Sequence, residues 1–433
     1  MKILLISPTI DLNNRNISEM VSPALGLYIL EGITPKEHEV KIIEEERCEL
    51  DLEEDCDLVG ISCMTCTAPR GYNLATEFKK RGKTVIMGGI HPTVMPDEAL
   101  QYVDSVIIGE AEEIWNQVLD DFQSGKLRQK YFGKEADLNK FVPLNYERIK
   151  TGFFKQLNLI TTRGCPYSCE FCSIPKAESR RVRHVPIEYI IKYITESKSK
   201  RVVFHDDNLV GDPVYAKELF KALIPLKIKW LSQSSLSMAN DDELLQLAKD
   251  SGCQILLVGL ESISKSQIEN LPKQTGNIKK LEDVLKKIRK AGILIHAFVI
   301  FGFDTDTKDI FKNTVRFLIK NKICSTSFCI LTPYPNIKFY QELKNASRII
   351  FSDWKYYTHS LAVFKPKNMT AYELQLGKIN AGDEFYKLLS VAKRLSGNLF
   401  NPFLFLAANF IWRQEIKQRK KWYNETLNRL RNQ

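Results

Sequence analysis

Short apolar runs alternate with helical-period segments twice along this chain, from residue 1 to about 125 and again from about 157 to 331. A chain patterned this way is driven to parallel strands covered by helices, because neither element can bury its apolar face alone. In the first half the strand candidates are Ile3 to Ser7, Glu39 to Glu44, Leu58 to Ser62, Thr84 to Gly88 and Ser105 to Ile108. They predict a doubly wound, Rossmann-like α/β domain over 1–140. Its ligand belongs at the carboxyl ends of the strands, in the loops Ser7 to Ser22, Ser62 to Tyr72 and Gly88 to Thr93. No GxGxxG is present, and Gly88-Gly89 alone reads as a tight turn.

Residues 126–156 read as a polar connector. Six further strands follow, at Leu157 to Arg163, Arg201 to Asp206, Ile228 to Gln233, Gln254 to Leu260, Ile293 to Phe301 and Thr326 to Leu331. Pro186 and Pro213 suit first turns of helices, and Asp212 and Asn240 suit N-caps. Six β-α units predict a partial (β/α)6 barrel of the TIM type over 150–340, with its chemistry at the strand C-termini. From 341 to 433 the pattern is mainly helical. Within it, Gly397 to Trp412 is apolar nearly all round, yet shorter than the ~20 residues that span a bilayer and broken by Pro402.

Composition narrows the function classes. The opening Met1 to Pro8 reads as a strand rather than a secretion signal, so a cytoplasmic setting is expected and the ten cysteines are expected to be reduced thiols. The net charge of +10 could point to nucleic acid, but residues 413–433 hold seven Lys/Arg against two Glu, half of the excess. A basic tail after an apolar run fits a peripheral contact with a membrane, worth at most about 5 kcal/mol for five surplus cations. A helix packed on the barrel with a solvated tail fits equally well. Cys63 and Cys66 form a lone CxxC and are read, with the other cysteines outside the motif below, as small core residues.

The chemistry is concentrated in Thr-Thr-Arg-Gly-Cys-Pro-Tyr-Ser-Cys-Glu-Phe-Cys, which carries Cys165, Cys169 and Cys172 just after the first barrel strand. Three thiolates on one loop suit a 4Fe-4S cluster with one iron left open for another ligand. Structural zinc would need a fourth protein ligand, and the nearest candidate is the single His184.

This CxxxCxxC loop, with the aromatic Phe171 before its third cysteine, resembles the radical S-adenosylmethionine superfamily. The resemblance extends to the subgroup with an N-terminal cobalamin-binding type domain, including hopanoid methylase and related lipid-modifying members. It rests on Val59-Gly60-Ile61-Ser62, Gly88 to Thr93, Ile108 to Glu112, the barrel segments, and Asp353 to His359 with Phe364 to Thr370. It implies that S-adenosyl-L-methionine chelates the open iron and is cleaved reductively to a 5'-deoxyadenosyl radical, for cobalamin-dependent methylation of an unactivated carbon in a lipid or natural product.

Carried over residue by residue, the resemblance implies that Cys165, Cys169 and Cys172 bind the cluster and that Asp206 meets the ammonium of S-adenosylmethionine. It places Gln233, Ser235 and Glu261 at the carboxylate and ribose, and Gly302 and Leu331 at the adenine, with Phe171 beside the cluster. The plainer reading of Asp206 is a helix N-cap or a turn, and its place at the strand end favours the ligand contact. No DxHxxG stands in the first domain, so a corrin there would be bound without a histidine ligand; Arg70 could face its lower side. Expected partners are a small-molecule or lipid substrate and an electron donor such as flavodoxin or ferredoxin, with no nucleic acid. A cobalamin-free coupling, cyclisation or rearrangement is the alternative. A tRNA methylthiotransferase is the weaker one, since Cys48, Cys56, Cys63 and Cys66 are not spaced for a second cluster.

Overall fold

The computed structural model describes residues 1–10, 22–152, 155–174, 179–264, 267–268, 277–335 and 337–431. Most of the loop expected at Ser7 to Ser22 therefore lies outside the described residues. The first sheet comprises β1 (Lys2–Ser7), β2 (Glu39–Glu44), β3 (Leu58–Ser62), β4 (Thr84–Gly88), β5 (Ser105–Ile108) and β6 (Lys130–Phe132), all parallel, in the order 2-1-3-4-5-6. Its strands read as nearly continuous apolar runs because both faces are covered. Along β1, Leu4 and Ile6 pack with Leu74, Ala75 and Phe78 of the helix Ala68–Lys80, while Ile3 and Leu5 join the opposite core.

β6 corrects the reading of 126–156 as a plain connector. It has three residues of which only Tyr131 is buried, too short to show an alternation. Its register is held by the edge of β5 and by Tyr131 Oη, which donates to Asp121. The strand order reverses direction between β1 and β3, and that switch point is where a doubly wound sheet opens a ligand crevice.

The second sheet runs in the order β15-β14-β13-β12-β11-β8-β7. β8 (Gln156–Leu159), β11 (Arg201–Phe204), β12 (Lys229–Ser234), β13 (Cys253–Glu261), β14 (Leu294–Phe301) and β15 (Ser325–Ile330) are parallel, and β7 (Lys150–Thr151) pairs antiparallel at the edge. This is the expected open barrel. The first barrel strand is shorter than expected: after β8 the chain turns away as β9 (Thr162–Arg163), which pairs antiparallel with β10 (Arg183–His184). Asp212 does cap the helix Pro213–Leu223, but the cap expected at Asn240 falls to Asp241, which accepts from the Leu244 N–H.

The helices Ala371–Phe385 and Pro402–Arg431 lie against β15 at the open side of the sheet, and Trp412 stacks on His296 of β14 with ring centroids 4.8 Å apart. Burial drives the His296 imidazole down to about 3 and His205 to about 4, so both are neutral wherever the protein is folded at neutral pH. Four cysteines outside the motif (Cys56, Cys63, Cys253, Cys324) are buried as expected, but Cys48 is exposed and Cys66 and Cys329 are partly so.

The C-terminal reading also changes. Pro402–Arg431 is one helix of 30 residues, about 45 Å long, so the apolar run and the basic tail sit at opposite ends. Arg429 donates to Tyr356 Oη and Arg431 to Tyr372 Oη, which ties those cations to the protein. They therefore cannot reinforce the apolar run as one anchor. No helix among the described residues is long and apolar enough to cross a membrane.

Candidate active site

β8 delivers the chain to Thr161 and Thr162, and a buried carboxylate fixes the exit. Asp206, just past β11 and 1% exposed, accepts from the backbone N–H of Thr161 at 2.6 Å and of Thr162 at 2.9 Å, and from the Thr161 hydroxyl. Burial lifts its carboxyl to about 6 against the pull of these three donors. Its oxygens thus face the root of the cysteine loop. Asp206 thereby positions the root of that loop.

Gly164 follows at φ 88°, where a Cβ would stand 2.5 Å from the Arg181 carbonyl oxygen and 2.6 Å from that of Ser179. Only glycine fits between these carbonyls. The Cys165 N–H donates to the same Ser179 carbonyl at 3.3 Å, and the Cys172 N–H to the Cys169 carbonyl at 3.0 Å, closing a tight turn. Cys165 and Cys169 are buried, Cys172 partly so, and all are free thiols. Among the described residues no three His, Cys, Asp or Glu side chains stand close enough to grip a single metal ion. Three thiols spread along one turn suit a cubane, whose irons stand apart, better than one zinc with bonds of ~2.3 Å. Phe171 sets its ring edge-on to Phe303, centroids 6.0 Å apart, joining the loop to the end of β14.

The loop is also clamped to the first domain. Arg163 reaches Glu110 at 3.0 Å and Glu112 at 2.5 Å, and Arg183 pairs with Glu110 as well. Burial would push the Glu110 carboxyl up, but Arg183, the Ala136 N–H and Arg163 hold it below the usual range. The segment after β5 therefore meets both strands of the hairpin that flanks the cysteines.

The other expected site residues gather at the strand ends. Gln233 is exposed near the end of β12, and its carbonyl accepts from the Leu209 N–H. Ser235 is buried; its N–H donates to Asn208 Oδ1 at 2.9 Å and its Oγ lies 2.5 Å from that of Ser237. Asn208 Nδ2 is a buried donor with no partner among the described residues, the kind of orphan a ligand carboxylate or hydroxyl would satisfy. Glu261 closes β13 at φ 54°, a strained backbone for a residue with a side chain, just where the register against β14 slips. Its carboxyl folds over Gly259, where any Cβ would stand 2.3 Å from Oε1.

Gly302, at φ 104°, and Phe303 both donate backbone N–H groups to Asp306 Oδ2, at 2.9 and 3.1 Å. Burial raises the Asp306 carboxyl to about 6, and its other oxygen has no partner among the described residues. Leu331 sits beside this turn, its N–H donating to the Phe301 carbonyl at 2.9 Å. Gly302 and Leu331 are thus adjacent on neighbouring strand ends.

Three residues that sequence reasoning did not single out complete the site. Tyr334 Oη lies 2.6 Å from His359 Nε2. Burial pushes this phenol well above its ordinary value, and the thiols of Cys66, Cys329 and Cys172 around it push the same way. Cys66 belongs to the first domain and Cys172 to the cluster loop. Met64, just past β3, is 57% exposed. The only sequence signal was proximity: Tyr334 follows Leu331 by three residues, and Met64 sits inside the lone CxxC.

In the first domain, the turn Thr65–Thr67 packs against Trp354–Tyr356, and Trp354 Nε1 donates to Glu98 at 2.9 Å. Arg70, which could face the lower side of a corrin, is paired with the buried Glu45 at 2.6 Å. His91 is buried with its Nε2 on Tyr72 Oη at 2.9 Å, and His38 lies near the N-terminal amine, at the opposite edge of the sheet from the crevice. Neither is placed to ligate a metal at the switch point. Gly89, at φ 99°, brings the backbone so near β3 that a Cβ would stand 2.8 Å from the Cys63 carbonyl oxygen.

Comparison with known proteins agrees with this division. Residues 159–318 match the family model for the radical SAM superfamily, and residues 18–119 match that for the B12 binding domain. The chain is 30% identical over 402 residues to bacteriochlorophyllide d C-8(2)-methyltransferase of Chlorobaculum tepidum, covering 87% of this chain and 88% of the relative. It is 28% identical over 417 residues to bacteriochlorophyllide d C-12(1)-methyltransferase of the same organism, covering 92% and 90%. Among solved structures, the radical S-adenosylmethionine methyltransferase TsrM from Kitasatospora setae, with cobalamin and a [4Fe-4S] cluster bound, shares the fold. Its TM-score is 0.66 at 16% identity, over 80% of this chain and 75% of that one.

Proposed function

This chain belongs to the cobalamin-dependent methyltransferases of the radical SAM superfamily, which join a B12-binding domain to the barrel, and from that premise we propose that it methylates an unactivated carbon of a small-molecule or lipid substrate. The observation that carries this reading is the set of ion pairs from Arg163 and Arg183 to Glu110 and Glu112, which seats the cysteine loop against the ligand edge of the first domain, at one chamber. When bound, the cofactors would supply one-electron reduction of the sulfonium and the transferable methyl group. The protein's part is placement.

Cys165, Cys169 and Cys172 would hold three irons of the cluster. Asp206 and Gly164 set the loop's geometry, and the Glu110 clamp keeps that loop against the B12-binding domain. Gln233, Ser235 and Glu261 would take the carboxylate and ribose of S-adenosylmethionine, with Asn208 Nδ2 as a further donor. The strand ends at Gly302 and Leu331 would offer backbone groups to the adenine. The switch point between β1 and β3 would hold the corrin, with Met64 beside it. In this reading the domains run 1–140, 150–340 and 341–433.

Substrate would enter the barrel beneath this chamber. A cavity of about 220 Å³ opens there between Phe298, Ser327 and Cys329 of the last strands and Lys378, Arg419 and Tyr423 of the C-terminal helices. Lys378 is buried and meets Tyr423 Oη at 2.7 Å, while the one carboxylate among the described residues of this lining, Glu415, pairs with Arg419. An acidic group on the substrate would complete it, because a buried ammonium without an anion is costly. Electrons would come from a flavodoxin or ferredoxin, and the C-terminal region would make a peripheral contact with a membrane.

The test is product stoichiometry. Anoxically reconstituted enzyme with hydroxocobalamin, a one-electron donor and bacteriochlorophyllide d as trial substrate should form 5'-deoxyadenosine and S-adenosylhomocysteine together, with a methylated product. Retention of no corrin, with 5'-deoxyadenosine formed and no S-adenosylhomocysteine, would overturn methyl transfer in favour of a cobalamin-free radical reaction.

A further inference from the structure

Of the fourteen large apolar side chains that stand exposed among the described residues, seven fall between 388 and 410: Leu388, Leu389, Leu399, Phe400, Phe403, Leu406 and Phe410. In the last helix Phe403, Leu406 and Phe410 recur at i, i+3 and i+7, a helical stripe, and that stripe faces outward; Phe403 is 86% exposed. The inward side carries buried polar groups as well. Arg394 is fully buried and donates to the carbonyls of Ile323, Cys324 and Phe385 and to Asn409 Oδ1; Asn409 Nδ2 donates to the Cys324 carbonyl, and Asn398 Nδ2 to that of Lys322. These helices are fastened to the barrel by polar clips and by Val391, Leu395, Leu404, Phe405 and Trp412, while Leu388, Leu389, Leu399, Phe400, Phe403, Leu406 and Phe410 point away. Helices that only had to cover the barrel would leave the outward side polar.

The charge around this face is mainly positive. Residues 385–414 contain no Asp or Glu, and Lys393 and Arg413 lie within the stretch, with Lys387 paired to Glu384 at its start. Arg289 and Lys322 flank Gly397, and Phe400 lies beside Gly292, two residues from the exposed Lys290. A second copy docked on the same face by a two-fold axis would bring these cations together, with little acid to offset them. An anionic, apolar surface matches both properties.

Resting on the peripheral membrane contact proposed above and going beyond it, we infer that the face formed by Leu388, Leu389, Leu399, Phe400, Phe403, Leu406 and Phe410 inserts into the interface of an anionic lipid bilayer, with the surrounding lysines and arginines on the headgroups. The face has a fixed place in the fold. Phe405 packs on Leu294 and Cys324, at the starts of β14 and β15, whereas the site residues Gly302 and Leu331 follow the ends of those strands. The membrane contact is thus about one strand length, roughly 25 Å, from the catalytic mouth. It holds the enzyme at the bilayer with its mouth turned from the lipid, so it anchors and does not extract substrate.

Sedimentation with vesicles tests this on the full chain. Wild-type protein should pellet with phosphatidylcholine vesicles containing phosphatidylglycerol and stay in solution with phosphatidylcholine alone, with binding falling as salt rises. The double variant Leu389→Glu/Phe403→Glu changes two exposed positions outside the site and should bind about tenfold or more weakly, while its S-adenosylhomocysteine formation in solution equals wild type. That activity, read on the same samples, separates failure of the anchor from failure of the methyltransferase reading. The inference is overturned if wild type ignores both vesicles, if the variant binds like wild type, or if wild type is a dimer that the variant disperses.

Discussion

Alanine at Cys165, Cys169 or Cys172 is expected to bring iron and sulfide in the anoxically purified protein to background and to abolish release of 5'-deoxyadenosine. The physical reason is the donor count. The loop offers three thiols, and His184, the imidazole nearest it in sequence, stacks on Tyr215 at 4.3 Å and lies 3.3 Å from Asp212. Losing one leaves two thiolates, too few to hold a cubane against solvent. The fold should survive, since the barrel core is built from the β11 to β15 strands and the helices around them rather than from the loop. Circular dichroism unchanged beside lost iron would show this. An alanine variant that retained its iron would move the cluster elsewhere.

Nearly as large an effect is expected from a single methyl group. Gly164→Ala places a Cβ within 2.6 Å of two carbonyl oxygens, those of Arg181 and Ser179, in a backbone conformation that costs alanine about 1–2 kcal/mol even without a clash. The strand β10 carries Arg183, and Arg183 carries the clamp to Glu110, so the hairpin cannot yield freely. The cysteine loop must give way, and iron content should fall several-fold. Gly125→Ala is the comparison: it too has positive φ, at 68°, but nothing lies within 4 Å of its Cβ. It should cost about 1 kcal/mol of stability and leave iron unchanged. Equal iron in the two variants would mean the loop is not held as described.

The repeat pattern made the architecture legible, because parallel strands covered on both faces leave long apolar runs that local sequence cannot disguise. All five strands expected in the first sheet and all six expected in the barrel form, within a few residues. What escaped was set by tertiary contact. β6 exists because β5 presents an edge to it, not because Lys-Tyr-Phe has a strand signature. The break after β8 is made by Asp206, forty-five residues further on than Thr161, and no local pattern could announce it. The cysteine motif was legible because thiolate spacing has direct chemical meaning. Tyr334 and His359 were not, since they come together only where the last strand meets the segment after Trp354. The C-terminal helix was legible in part: hydropathy located the apolar run, but only the fold shows which side of it faces out.

The central claim is that the cysteine loop holds a cluster with one iron open to a small amino acid ligand. The electron paramagnetic resonance spectrum of the reduced wild-type enzyme, recorded before and after addition of S-adenosylmethionine, tests it most directly. The account predicts a 4Fe-4S signal whose g values shift on addition, and no such signal in the Cys165→Ala variant. A cluster signal left unchanged by S-adenosylmethionine would contradict it.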